Sequence, residues 1–138
     1  LHVRSRRQRQ MCIRDSNYVD YLVKTPDGNY SQVVDKGITR AKKAELSYEV
    51  LKTIDGEENG MPGKGLSLVK VALKTGRHHQ IRVQLASIGC PIVGDTKYNP
   101  ELTGNKRWQT IRLCAYKLDF KHPVTHKAMH FQLEADPA

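Results

Sequence analysis

Between Ala44 and Val50 the chain alternates strictly, Ala44, Leu46, Tyr48 and Val50 being separated by Glu45, Ser47 and Glu49. Successive side chains of a strand point to opposite faces, so this period of two predicts a half-buried strand. Leu66 to Leu73 is a second apolar run, and Asp55 to Gly65 between them holds four glycines and a proline. The two runs are therefore expected to pair as an antiparallel hairpin with a long tip. Asn17 to Lys24 reads as a short extended segment ended by the turn Pro26-Asp27-Gly28. Towards the C-terminus, Leu113 to Phe120 and Met129 to Leu133 read as strands around a turn at His122-Pro123, with Met129, Phe131 and Leu133 alternating against His130, Gln132 and Glu134.

At Thr75-Gly76 the period changes. Gly89 and Pro91 supply a stop, so a helix of about three turns is expected between them. Ile81, Leu85 and Ile88 recur at helical spacing and form the expected buried stripe, with Arg82 about 100° around the helix from Ile81, beside His78, His79 and Ala86. An arginine at the edge of a buried stripe presents a planar fork suited to a carboxylate or phosphate. Strands followed by one short helix and further strands give an α+β class with a largely antiparallel (mixed) sheet.

Composition narrows the class. At 138 residues and 38% apolar content, the chain suffices for one small domain. No apolar run approaches the roughly 20 residues that span a bilayer, so no membrane partner is expected. Cys12, Cys90 and Cys114 are odd in number and far apart, which suits reduced thiols in the cytoplasm rather than a disulfide framework. The leader LHVRSRRQRQMCIRDS, residues 1–16, is arginine-rich without apolar periodicity, and its tail resembles translated sequencing-adapter DNA. It is read as non-native and set apart from residues 17–138; a transit peptide is the rival reading, although no apolar face accompanies the arginines. Of the net charge of +9, Arg4, Arg6, Arg7, Arg9 and Arg14 against Asp15 account for four units and leave +5 for the rest. A basic small domain favours a polyanionic partner, and Lys97, Tyr98, Lys106, Arg107 and Trp108 mix cations with aromatic faces as RNA contacts do.

The segment from Thr75 to Asp95, TGRHHQIRVQLASIGCPIVGD, resembles the C-terminal motif of the RluA-type RNA pseudouridine synthases, a G-R-x-H-Q-[IL]-R run leading through a helix into G-x-P-I-x-G-D. Gly76, Arg77, His79, Gln80, Ile81 and Arg82 match its first half, and Gly89, Pro91, Ile92, Gly94, Asp95 and Tyr98 its second. The resemblance extends through AKKAELSYEVL, Ala41 to Leu51, and LCAYKLDFKHP, Leu113 to Pro123. It implies isomerisation of uridine within ribosomal or transfer RNA without a cofactor, and the protein is expected to act as a monomer. The family's aspartate segment H-R-L-D-x-x-[TS]-[SG]-G and its K-x-Y-x-A-x-V strand do not occur here, and Tyr48 is not the latter's tyrosine. Residues 17–138 thus look like the C-terminal portion of a catalytic domain, inactive on its own; a non-catalytic RNA-binding module on the same scaffold is the alternative.

The resemblance implies a role for each matched residue. Arg82 corresponds to the arginine that pairs with the family's catalytic aspartate, keeping it ionised and aimed. Arg77, His79 and Gln80 are candidates for RNA contact, with helix capping or loop bracing as the competing duty of His79 and Gln80. Leu113 is the candidate apolar wall for a flipped base, or ordinary core. Asp95 is expected to make a loop-stabilising hydrogen bond rather than to catalyse. His78, His79, His122, His126 and His130 raise the question of a zinc site, and hence of a metal hydrolase, but Pro123 and the strand alternation disfavour the helix that would align the last three, so no metal is expected.

Overall fold

The computed structural model describes residues 2–4, 16–55, 65–100 and 110–134. Within them the order is β1 (His2–Arg4), β2 (Ser16–Lys24), β3 (Ser31–Val34), β4 (Lys42–Asp55), β5 (Gly65–Leu73), α1 (Gln80–Ser87), β6 (Lys117–Lys121) and β7 (Ala128–Gln132). The first five strands form one antiparallel sheet in the order β1-β5-β4-β2-β3, and β6 and β7 form a separate hairpin. The α+β class and the antiparallel pairing of β4 with β5 agree with the sequence pattern; the expected tip, residues 56–64, lies outside the described residues.

The alternation in β4 fixes which face is covered. Ala44, Leu46 and Tyr48 are buried, and with Leu22, Val83 and Cys90 they make two adjoining core clusters under the helix. The register shifts between Val50 and Lys52, a bulge that leaves Leu51 half exposed and reverses the phase of the strand beyond it. Two strands escaped the pattern. β3 is a four-residue edge strand without alternation, and β1 comes from the leader, because main-chain pairing with β5 (His2 opposite Ser67) makes no demand on side-chain periodicity. Residues 5–15 of the leader, Cys12 among them, lie outside the described residues.

The helix is shorter than expected, eight residues or about two turns. Gly89, at φ 76, closes it: its N–H donates to Ala86 and that of Cys90 to Leu85, at 2.9 and 2.8 Å. These are the paired bonds of a Schellman motif. The expected stripe is corrected as well. Leu85 is buried, but so are Gln80, Val83 and Gln84, whereas Ile81 and Ile88 are only partly covered, packing against the Leu46–Tyr48–Cys90 cluster. Two amides four residues apart tie the helix to β4 and β2: Gln80 Nε2 donates to the Glu45 carbonyl at 3.1 Å, and Gln84 Nε2 to the Asp20 side chain at 2.9 Å and the Ala44 carbonyl at 3.4 Å. A stripe search counts apolar residues and misses a face buried through hydrogen-bonded amides.

The C-terminal reading also shifts. Residues 110–116 are irregular and β6 begins only at Lys117, so Leu113 lies in no strand and is 44% exposed. The irregular stretch is pinned where Arg112 N–H donates to the Val93 carbonyl at 2.9 Å, crossing directly over Gly94. In β7, Met129 is partly covered but Phe131 is exposed, as is Leu133 just beyond the strand; Phe131 stacks on Phe120 across the hairpin with centroids 5.9 Å apart.

Candidate functional site

The signature turn is built onto β4. The Glu45 carbonyl accepts the N–H groups of Lys74 and Thr75, Thr75 Oγ1 accepts the Glu45 N–H at 2.9 Å, and Gln80 Oε1 accepts the Thr75 hydroxyl at 2.8 Å and the Arg77 N–H at 2.9 Å. Both ends of the Gln80 amide are therefore engaged within the fold. Arg77 is exposed and reaches the other way, its Nε donating to the Lys43 carbonyl at 2.9 Å. His79 caps the helix in the left-handed region, φ 52 and ψ 26, and its side chain makes no capping bond; the ring points instead towards Tyr98.

Arg82 and Asp95 meet behind that ring. Nε and Nη2 of Arg82 donate to the two Asp95 oxygens at 3.0 and 2.7 Å, a bidentate pair. Asp95 Oδ1 also accepts the backbone N–H groups of Lys97 and Tyr98 at 3.0 and 3.1 Å. Burial alone pushes this carboxyl up, yet the Arg82 bond and the two N–H groups outweigh it and hold the acid below its ordinary range. The same bond to Asp95 raises Arg82. Asp95 thus has the loop-bracing bonds expected of it and in addition anchors the arginine, which leaves the other edge of the guanidinium for a second acceptor.

Tyr98 is the hub of the site. Its hydroxyl accepts the Ser31 N–H at 2.9 Å and lies 2.7 Å from His79 Nδ1, so the network assigns the phenol proton to Nδ1 and the imidazole proton to Nε2. Burial raises the Tyr98 phenol, in keeping with a neutral donor. Arg82 sits over its ring at 5.2 Å, His79 meets it edge-on at 5.6 Å, and His78 stacks on His79 at 3.8 Å. Ser31 Oγ lies 2.9 Å from both the His78 carbonyl and its Nδ1. Burial foremost, then the Arg82 cation, pushes His79 down to about 4.

That depression predicts an acid-labile fold. The unfolded imidazole takes its proton near the ordinary value of 6.5 and the folded one only near 4, so stability is full above the first value and declines as pH falls towards the second. His79→Asn suits the left-handed backbone and does not titrate. Its urea midpoint is expected to change less between pH 7 and pH 4.5 than that of the parent chain; equal changes would show that His79 is not the group responsible.

The structure thus gathers Arg82 and His79 with Asp95, Tyr98 and Ser31, while Arg77 lies against β4 and Leu113 stands exposed on the crossing stretch. Asp95 as the partner of Arg82, and Tyr98 as the hub, were missed as a pair; the signal was Gly94-Asp95 followed three residues later by an aromatic, an Asx-type turn that aims the carboxylate inward. Lys106, Arg107 and Trp108 lie outside the described residues. Among the described residues no group of three or more His, Cys, Asp or Glu side chains converges as a metal site, and no helix is long and apolar enough to cross a membrane. Cys90 is buried and Cys114 exposed.

Comparisons with known proteins converge on one family. The family model described as RNA pseudouridylate synthase matches residues 6–87. An uncharacterized RNA pseudouridine synthase of Aquifex aeolicus is 37% identical over 99 residues, covering 67% of this chain and 29% of the relative. Another, from Bacillus subtilis, is 42% identical over 118 residues, covering 80% and 36%, and the dual-specificity RNA pseudouridine synthase RluA of Yersinia pestis is 34% identical over 96 residues, covering 69% and 42%. The chain spans about a third of the length of the first curated relatives it matches. A solved structure, human RNA pseudouridylate synthase domain containing 1, shares the fold with a TM-score of 0.70 at 16% identity, covering 97% of this chain and 52% of that one.

Proposed function

Because this chain belongs to the RluA-type family of RNA pseudouridine synthases, we propose that it forms the arginine-bearing side of an active site that isomerises uridine to pseudouridine in ribosomal or transfer RNA, as a monomer in the cytoplasm. The reaction breaks the N-glycosidic bond, turns the base and rejoins its C5 to the ribose, and it needs an ionised aspartate. These 138 residues contain no Arg-Leu-Asp triplet. What they contribute is Arg82. The observation that carries the reading is its bidentate bond to Asp95: one edge of the fork is locked, so the other is held in place to meet the aspartate supplied from elsewhere.

The surrounding residues take supporting parts. His79 and Gln80 act through the fold, His79 by fixing Tyr98 beneath Arg82 and Gln80 by holding the turn on Glu45. Arg77, exposed beside Lys43, is suited to backbone phosphate. Leu113, exposed where the crossing stretch leaves Gly94, is suited to cover a base turned out of its stack, a step that costs a few kcal/mol.

A chimera joining this chain to the aspartate-bearing portion of a full-length relative is expected to release tritium from RNA containing C5-tritiated uridine, whereas the 138-residue chain releases none. An inactive but folded and RNA-binding chimera would overturn the assignment. Release by the chain alone would move the chemistry to a group it already holds, Asp95 first.

A further inference from the structure

The turn between β2 and β3 is held against the loop after the helix by the side chains of Lys97 and Tyr30, which the Arg82 site does not use. Lys97 Nζ donates to the Asn29 carbonyl at 3.1 Å and stands 5.0 Å from the centroid of the Tyr30 ring. Tyr30 in turn meets Tyr98 edge-on, at 6.1 Å and an interplanar angle of 79°. The turn is also braced from within: Thr25 N–H donates to the Tyr30 carbonyl at 2.9 Å, Tyr30 N–H to Thr25 Oγ1 at 3.2 Å, and Asn29 N–H to Asp27 Oδ1 at 3.1 Å. The Asp27 carboxylate is spent inside the turn, on the Thr25 hydroxyl and on both the backbone and the side chain of Asn29.

A fixed backbone therefore carries an aromatic ring that is still 42% exposed, one ring away from the aromatic that lies under Arg82. Lys97 is over the ring, and Lys24 lies opposite the next residue, Ser31, in the β2–β3 ladder. Rigid aromatic faces rimmed by cations are how proteins hold unpaired nucleotides, the ring stacking on a base and the cations meeting phosphate.

We propose that Tyr30 and Lys97 form a stacking platform for an unpaired base of the RNA strand, next to the nucleotide handled at Arg82, with Lys24 and Lys97 meeting its phosphates. This rests on the RNA-modifying reading of the site and extends it to a residue outside the signature segment. Stacking of this kind tolerates every base, so the platform secures the strand rather than reading its sequence.

The test uses the full chain and a single-stranded oligoribonucleotide carrying 2-aminopurine, whose fluorescence falls on stacking. The parent chain and Tyr30→Phe are expected to bind with quenching, whereas Tyr30→Ala binds roughly tenfold more weakly without it. Tyr30→Leu keeps bulk but has no π face, and it must lose quenching as Tyr30→Ala does, with thermal melts confirming that each variant is folded. Lys97→Met should flatten the log-log dependence of affinity on salt by about 0.7. Full affinity and quenching in Tyr30→Leu overturn the platform while steep salt dependence of the parent upholds the RNA reading; a parent chain that binds no RNA overturns both.

Discussion

Arg82→Ala is expected to lower the folding stability by about 3–5 kcal/mol and, in the active chimera, to lower turnover by 10²-fold or more. The first effect comes from Asp95, whose side chain has no exposure while that of Arg82 retains 20%. Removing the arginine leaves a buried carboxylate with only the N–H groups of Lys97 and Tyr98, the situation in which breaking an ion pair costs far more than the pair contributes. It also removes the cation over the Tyr98 ring, loosening the hub that holds His79 and Ser31. The second effect is loss of the group we propose to face the catalytic aspartate.

The two effects separate by measurement. Because Asp95 is held below its ordinary value of 3.8, the stability it confers is present above that value and is lost as pH falls below it. The stability difference between parent and Arg82→Ala should therefore narrow in strong acid. Arg82→Lys keeps the charge without the two-pronged geometry; it is expected to recover part of the stability and little of the turnover. A urea midpoint for Arg82→Ala equal to that of the parent chain would sink the structural half of this account.

Gly94→Ala is expected to be the most damaging single-methyl change, destabilising by more than about 4 kcal/mol or preventing folding. Gly94 has φ +81, and a Cβ there would lie 2.1 Å from the Thr110 carbonyl oxygen and 2.8 Å from its carbon. Both are backbone atoms of the crossing stretch, itself tied down by the Arg112–Val93 bond, so neither can turn aside. Gly28 is the control. Its φ is +73, but a Cβ would meet nothing within 4 Å, so Gly28→Ala should cost only the roughly 1–2 kcal/mol of a left-handed backbone. Equal melting temperatures for the two variants would mean that residues 110–112 do not lie on Gly94.

Local patterns were sufficient for much of this molecule. The alternation of Ala44 to Val50, the glycine-rich tip and the Gly89 stop each depend on neighbours within a few residues, and they yielded the β4–β5 hairpin, a helix at the right place and the α+β class. The match from Gly76 to Tyr98 carried the family and pointed to Arg82. The two-turn length of the helix, its amide-bonded face and the absence of Leu113 from any strand were not legible, because each is settled by a partner far along the chain: Gln80 by Glu45, Gln84 by Asp20, the stretch around Arg112 by Val93. The same holds at the site. Sequence names Arg82, Asp95, His79, Tyr98 and Ser31 as residue types, but their joint function depends on β3, an edge strand with no alternation, bringing Ser31 across 67 positions to Tyr98. Periodicity records which side of an element is wet; only the packed chain decides which polar groups share a dry space, and there hydrogen bonds and charge, not apolar area, determine the arrangement.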